Sequence, residues 1–169
     1  MGAPPFLAKG VMSPLTHPRR LYGTLATAEM VTWTLLLAGM AGKYLLRLGG
    51  PGELGVRVGG SVHGFVFLAY CLVTVLVAVD QRWRARHLLV GLASAVVPYA
   101  TVPFERWADR RGLLEESWRL RREPADGFVQ KLVAASLRRP LPAAAAALAL
   151  IAIVFAGLLA AGPPTQWFS

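Results

Sequence analysis

Four ionisable side chains stand in or against the apolar stretches of this chain: Glu29, Lys43, His63 and Glu105. An ionisable group held in lipid is expensive, and a chain that keeps one suggests proton transfer, passage of an ion or substrate, or a charge pair. Glu29, Trp33, Leu36, Met40 and Lys43 recur at steps of four, three, four and three, which places them in one stripe of a helix. Glu29 and Lys43 are about 21 Å apart at the helical rise, too far to pair. If the next helix returns antiparallel, His63 lies near Lys43 and far from Glu29. If the following apolar run then crosses, Glu105 ends on the Lys43 side. The expected polar cluster is therefore Lys43, Tyr44, His63 and Glu105, with Glu29 facing the basic connection at 82–87. Gly60 and Gly64 form a small-xxx-small pair flanking His63 that suits close approach of the first helix; Phe67 and Cys71 continue that face, and Trp33 packs there.

Each of these residues also has a plainer reading. Lys43 can snorkel to the head groups, His63 can hydrogen-bond a carbonyl, and Glu29 can be a protonated or Arg-paired structural group. Other chemistry is not indicated. The chain has no Gly-rich phosphate loop, no GxSxG elbow, no HExxH and no convincing carboxylate dyad. His17, His63 and His87 do not form a metal-ligand pattern, and Cys71, the only cysteine, cannot close an intrachain disulfide. Glu115 and Glu116 read as a solvated face. No catalytic residue, no metal and no cofactor is expected, and the chain is not expected to be an enzyme.

The elements that must hold these residues are legible in the composition. Of 169 residues, 55% are apolar and 16% charged, against about 25% charged in soluble domains. Mean hydropathy is +0.49. Too few charges remain to coat a globule, and the apolar residues gather into runs of membrane-crossing length. The expected fold is all-α: a polytopic membrane helical bundle with three or four transmembrane helices and an interfacial amphipathic segment.

Residues 1–20, with Pro4, Pro5, Pro14 and Pro18 and ending in Arg19 and Arg20, read as a flexible tail rather than a cleaved signal peptide. A membrane core of three apolar helices follows over 21–107. Its first span is 21–46, its turn the glycine-rich 47–58, its second span 59–79 and its third run 88–104, which carries Pro98 and Pro103. Residues 108–140 are a charged amphipathic connection, with a charged soluble loop as the alternative. From Trp107, Leu114 and Trp118 recur at helical spacing, and Phe128, Leu132, Val133 and Leu137 share a second face. The clearest span is 141–161, followed by a short tail at 162–169.

Charge bears on partners and on topology. The chain carries 18 Lys and Arg against 9 Asp and Glu, a net charge of +9. The cations lie between apolar runs, which suits a bilayer with anionic head groups; no nucleic-acid motif accompanies them, so no nucleic-acid partner is expected. If all four runs cross, Lys and Arg divide as 6 on the side of the termini and 12 on the other; if 88–104 re-enters without crossing, they divide as 15 against 3. The second count is cleaner. Four crossings are nevertheless the favoured arrangement, because an irregular re-entrant backbone must be covered by protein and this chain has few helices to cover it.

Four ordered segments, AEMVTW at 28–33, MAGKY at 40–44, VGGSVHGFVFLAY at 58–70 and VPYATVPFER at 97–106, resemble a bacterial integral membrane family catalogued as domain of unknown function 3817. That family shows a Glu and a Trp in its first helix, a Met-Pro-Leu-Lys-Tyr ending and a His-Gly-x-x-Phe start to its second. The likeness covers roughly residues 20–107. Ala41 and Gly42 stand where the family has Pro-Leu, so a proline kink after Met40 is not expected. The resemblance implies a multi-pass protein of a bacterial cell membrane and no particular activity. The functional expectation is helix–helix interaction with a second copy, as a homo-oligomer, or with another membrane protein. The alternative is a proton-linked transporter or transport subunit using Glu29 and His63.

Overall fold

The computed structural model describes residues 17–161, and these form an all-α bundle. Most of the expected N-terminal tail and all of the C-terminal one lie outside the described residues. Helix α1 (Pro18–Met40) starts at a proline whose missing N–H costs nothing in a first turn and runs into a π-helical turn at Ala41–Leu45. The site after Met40, where the related family has a proline, is thus a local widening of the helix. Helix α2 is Gly50–Asp80, α3 Ala85–Val96, α4 Thr101–Arg110, α5 Gly127–Arg138 and α6 Pro140–Ala161, with a 3₁₀ turn at Arg119–Arg121. Three helical stretches, Pro18–Leu45, Gly50–Asp80 and Pro140–Ala160, are long and apolar enough to cross a membrane.

The first correction concerns the turn between the first two helices. Residues 50–58 are helical despite their glycines, and Gly49, at φ 60, makes the reversal. Packing overrides propensity here. A β-carbon on Gly39 would meet the Gly55 backbone at 2.5 Å, one on Gly52 the Lys43 backbone at 2.8 Å, and one on Gly59 the Leu35 carbonyl at 3.0 Å. These small residues let two backbones touch, which is how helices gain attraction in lipid. Because α2 starts nine residues earlier than the apolar run alone suggests, every residue on it lies deeper relative to α1 than expected.

The second correction concerns residues 88–104. Helices α3 and α4 form a hairpin that enters the bundle and returns to the same end. Trp33 Nε1 donates to the Ala95 carbonyl at 3.3 Å, Thr101 Oγ1 to the Ala26 carbonyl at 2.9 Å, and Arg19 reaches Asp109 at 2.6 Å. The chain therefore descends along α1 to about residue 34 and climbs back to its start. At the tip the Ala100 N–H donates to the Val97 carbonyl at 3.1 Å, across Pro98 and a Tyr99 at φ 66. Proline at the second position and a positive φ at the third mark a type II turn. The two prolines thus serve a reversal and an α4 start, not a kinked crossing. Helices α1 and α2 cover one side of the hairpin, which is the covering by protein that an irregular backbone at membrane depth requires.

The third correction concerns residues 107–126. Helix α4 stops where Gly112, at φ 67, lets the Leu113 N–H donate back to the Ala108 carbonyl at 2.9 Å. The segment beyond is largely irregular, and its Leu114, Trp118 and Leu120 are buried in the common core with Tyr22, Tyr70, Val77 and Phe104. It is a plug on the end of the bundle and not an amphipathic helix. Helix α5 does form, but its apolar residues divide between two faces: Val133, Ala134 and Leu137 are buried, whereas Phe128, Val129 and Leu132 are exposed.

Candidate intramembrane polar site

The interior of the bundle holds a polar core assembled from α1 to α4. Glu29 is 0% exposed. Its Oε2 accepts from Thr101 Oγ1 at 3.1 Å, and its Oε1 is buried without a hydrogen-bond partner. Thr101 lies equally well against the Ala26 carbonyl. A hydroxyl has one proton to donate, so the Thr101 proton is shared between the Glu29 carboxyl and the Ala26 carbonyl. One turn along α1, Thr32 Oγ1 donates to the Glu29 backbone carbonyl at 2.9 Å and lies 3.2 Å from His63 Nδ1. With the threonine proton so used, His63 donates from Nδ1. The His63 ring stacks 4.4 Å from Trp33 and 6.2 Å from Phe67.

Toward the α1 start the hydroxyls continue. Tyr22 and Tyr70 share a 2.7 Å hydrogen bond, Tyr70 meets Ser94 at 3.0 Å, and Ser94 donates to the Gly91 carbonyl at 2.7 Å. Thr74 donates to the Tyr70 carbonyl at 2.8 Å. All four side chains are buried, and each helix of the core contributes a polar group that another helix satisfies.

The expected cluster does not form. Lys43 and Tyr44 are together, with Nζ 5.4 Å from the ring centroid, but Tyr44 is 61% exposed and the pair sits at the α1–α2 turn. His63 has moved about 16 Å along α1, to Thr32, because α2 begins early. Glu105 lies at the opposite end, its Oε1 3.4 Å from where a β-carbon on Gly23 would be, and thus about 30 Å along α1 from Lys43. Partial burial, reinforced by Asp109, pushes the Glu105 carboxyl above its ordinary value, while Arg106 and Arg19 hold it down. Glu29 meets Thr101 and not the 82–87 connection. Gly59 makes the close approach to α1 expected of Gly60, whose β-carbon would have ordinary contact with Leu36; Gly64 instead faces Phe155 of α6 at 3.0 Å.

Asp80 is a functional residue of the fold that sequence reading passed over. Fully buried at the end of α2, it accepts from the Arg119 N–H at 3.0 Å and the Leu120 N–H at 2.9 Å, and its own carbonyl accepts from Arg119 Nε at 2.6 Å. An acid closing an apolar run gives only a weak signal, since a solvated helix end looks the same. Thr32, Thr101, Ser94 and Tyr22 are equally silent, because uncharged hydroxyls are common in membrane helices, while Tyr70 reads from the sequence as a packing residue. Among the described residues no group of three or more His, Cys, Asp or Glu is placed to hold a metal ion.

Comparison with known proteins places the chain among membrane proteins. No solved structure matches the chain. A Streptomyces coelicolor protein described as a membrane protein is 43% identical over 98 residues, covering 57% of this chain and 11% of that one. The uncharacterized membrane protein YdzA of Bacillus subtilis is 32% identical over 72 residues, covering 43% of this chain and 71% of YdzA. The chain thus spans only about a ninth of the longer relative. The model of the family described as domain of unknown function (DUF3817) matches residues 19–110, the stretch that builds α1 to α4 and the polar core. This chain is a multi-pass bacterial membrane protein that belongs to the DUF3817 family.

Proposed function

We propose that this protein is a helix-docking module of the membrane, without catalytic chemistry of its own, whose α1–α4 core receives a further transmembrane helix on the small-residue face of α2. The observation that carries this reading is the seating of Phe155 on Gly64: α6 lies outside the matched family segment, leaves most of its surface unburied, and rests on α2 at that glycine. The occurrence of the same segment within a Streptomyces chain, of which it makes up 11%, supports a module that works beside other parts. A photo-crosslinking amino acid placed at exposed Val62 or Ile153 tests it in the native membrane. The expected product is a discrete protein adduct, a dimer of this chain or one partner of defined mass, that Gly64→Leu abolishes. Adducts to lipid alone would reject the proposal.

A second reading, a proton-linked transporter or transport subunit, is favoured by one observation: Glu29 is wholly buried, with Oε1 unpartnered and Oε2 on a hydroxyl that has another acceptor. Glu29 and His63 then act at neighbouring depths and not at separate ones, with Thr32 lying between His63 and the Glu29 backbone carbonyl. In reconstituted vesicles Glu29→Gln and His63→Ala would each abolish proton flux. Unchanged flux in both removes this reading.

A further inference from the structure

The α3–α4 hairpin has an outer side that neither α1 nor α2 covers, and its two helices part there into a groove of about 810 Å³. That volume lies within the range of roughly 300–1,000 Å³ usual for bound small molecules and cofactors. Its wall is graded along its length. At the mouth stand Arg86 and Arg111, at the outer ends of α3 and α4; deeper down the wall is mostly apolar, from Val90, Pro103, Phe104 and Val97, with Ser94 its polar exception. Val97 lies eleven positions after Arg86, just past the end of α3, about 16 Å of depth.

The charges at the mouth are uncompensated. Arg19 is paired with Asp109 and Glu116, and Arg119 with Glu123, but neither Arg86 nor Arg111 forms an ion pair with any described residue. Both are nevertheless held. Arg86 Nε donates to His87 Nε2 at 3.2 Å, and the Arg111 guanidinium rests 5.6 Å from the centre of the Trp107 ring, which also packs against His87 at 5.7 Å. The mouth is at the end of the bundle that carries 14 of the 17 Lys and Arg among the described residues. By the positive-inside rule this end faces the cytoplasmic leaflet, whose anionic lipids basic pockets between membrane helices select.

We infer that this groove is a site for one anionic phospholipid, its head group held between Arg86 and Arg111 and one acyl chain laid along the α3–α4 hairpin toward Val97. Charge complementarity at the mouth and an apolar trough of acyl-chain depth identify the occupant together; a soluble anion would leave the trough empty, and a zwitterionic lipid would bring its own cation against the two arginines.

The test uses the full chain reconstituted in phosphatidylcholine vesicles containing a trace of phosphatidylglycerol with a diazirine in its acyl chain. After irradiation, adducts are mapped by peptide mass spectrometry. The expected labelling falls on 90–104, is competed by unlabelled phosphatidylglycerol but not by phosphatidylcholine, and drops by about tenfold or more in R86Q/R111Q. Val90→Trp, which narrows the trough and keeps the charges, also reduces it, whereas R138Q/R139Q does not. The competition arm needs only the wild-type chain, so a variant that fails to fold leaves the question decidable. Equal competition by phosphatidylcholine, labelling spread evenly over α6 and the hairpin, or undiminished labelling in a folded R86Q/R111Q protein overturns the inference.

Discussion

At the scale of single residues, the acids divide by what stands behind them. Asp80 supports a whole segment, since its two oxygens satisfy the buried N–H groups of Arg119 and Leu120. Hydrogen bonds to a charged acceptor contribute about 1.5–3 kcal/mol each. Asp80→Ala is therefore expected to destabilise the folded protein by about 3 kcal/mol in a detergent unfolding titration, and Asp80→Asn, which keeps one acceptor oxygen, by less. Equal losses would show that the two N–H groups do not depend on that carboxylate. Glu105 behaves in the opposite sense. Its carboxyl is raised above the ordinary 4.5 first by burial and then by Asp109. A raised acid contributes stability that is fully present below pH 4.5 and is lost as pH rises through the folded value. Glu105→Gln, which does not titrate, should match wild type near pH 4 and have the higher melting temperature at pH 7. A Gln variant less stable at pH 7 than at pH 4, relative to wild type, would contradict this.

At the scale of elements, what was legible followed from hydrophobicity, and what was not followed from packing. The spans α1, α2 and α6 declare themselves because a bilayer demands about 20 apolar residues whatever their neighbours. Residues 50–58 read as a turn because four glycines over 47–58 weaken a helix in isolation, yet Gly52, Gly55 and Gly59 are the residues that let α2 touch α1. That single misreading displaced His63 by several turns and with it the expected cluster. The glycines also make a prediction. A β-branched side chain at Gly39 has no room against the Gly55 backbone, so Gly39→Val should separate the helices and destabilise the protein by about 1–3 kcal/mol or more. The same substitution at Gly157, whose β-carbon would meet nothing within 4 Å, should be nearly neutral. Comparable losses at both positions in a thermal unfolding assay would refute a close α1–α2 crossing.

At the scale of the whole molecule, the hairpin organises everything else. It brings Thr101 to Glu29, Ser94 to Tyr70 and Asp109 to Arg19, and it sets both basic connections at one end of the bundle. From the sequence, the charge count favours this arrangement, but the want of covering helices favours four crossings. The cover comes from the long α1–α2 pair, a tertiary fact that no local pattern announces. Helix α6 fits the same frame. Phe155, about 22 Å from the α6 start, meets Gly64, about 24 Å from the α2 end, as two helices crossing the bilayer in opposite directions should. The direct test of the re-entrant hairpin is side-specific labelling in intact cells. In a Cys71→Ser background, single cysteines replace Leu48 in the first turn, Arg84 before α3 and Glu115 after α4, and each is challenged with a membrane-impermeant thiol reagent. The hairpin predicts that positions 84 and 115 share one side, the cytoplasmic one, and that position 48 lies on the other; labelling of 84 and 115 from opposite sides would contradict it.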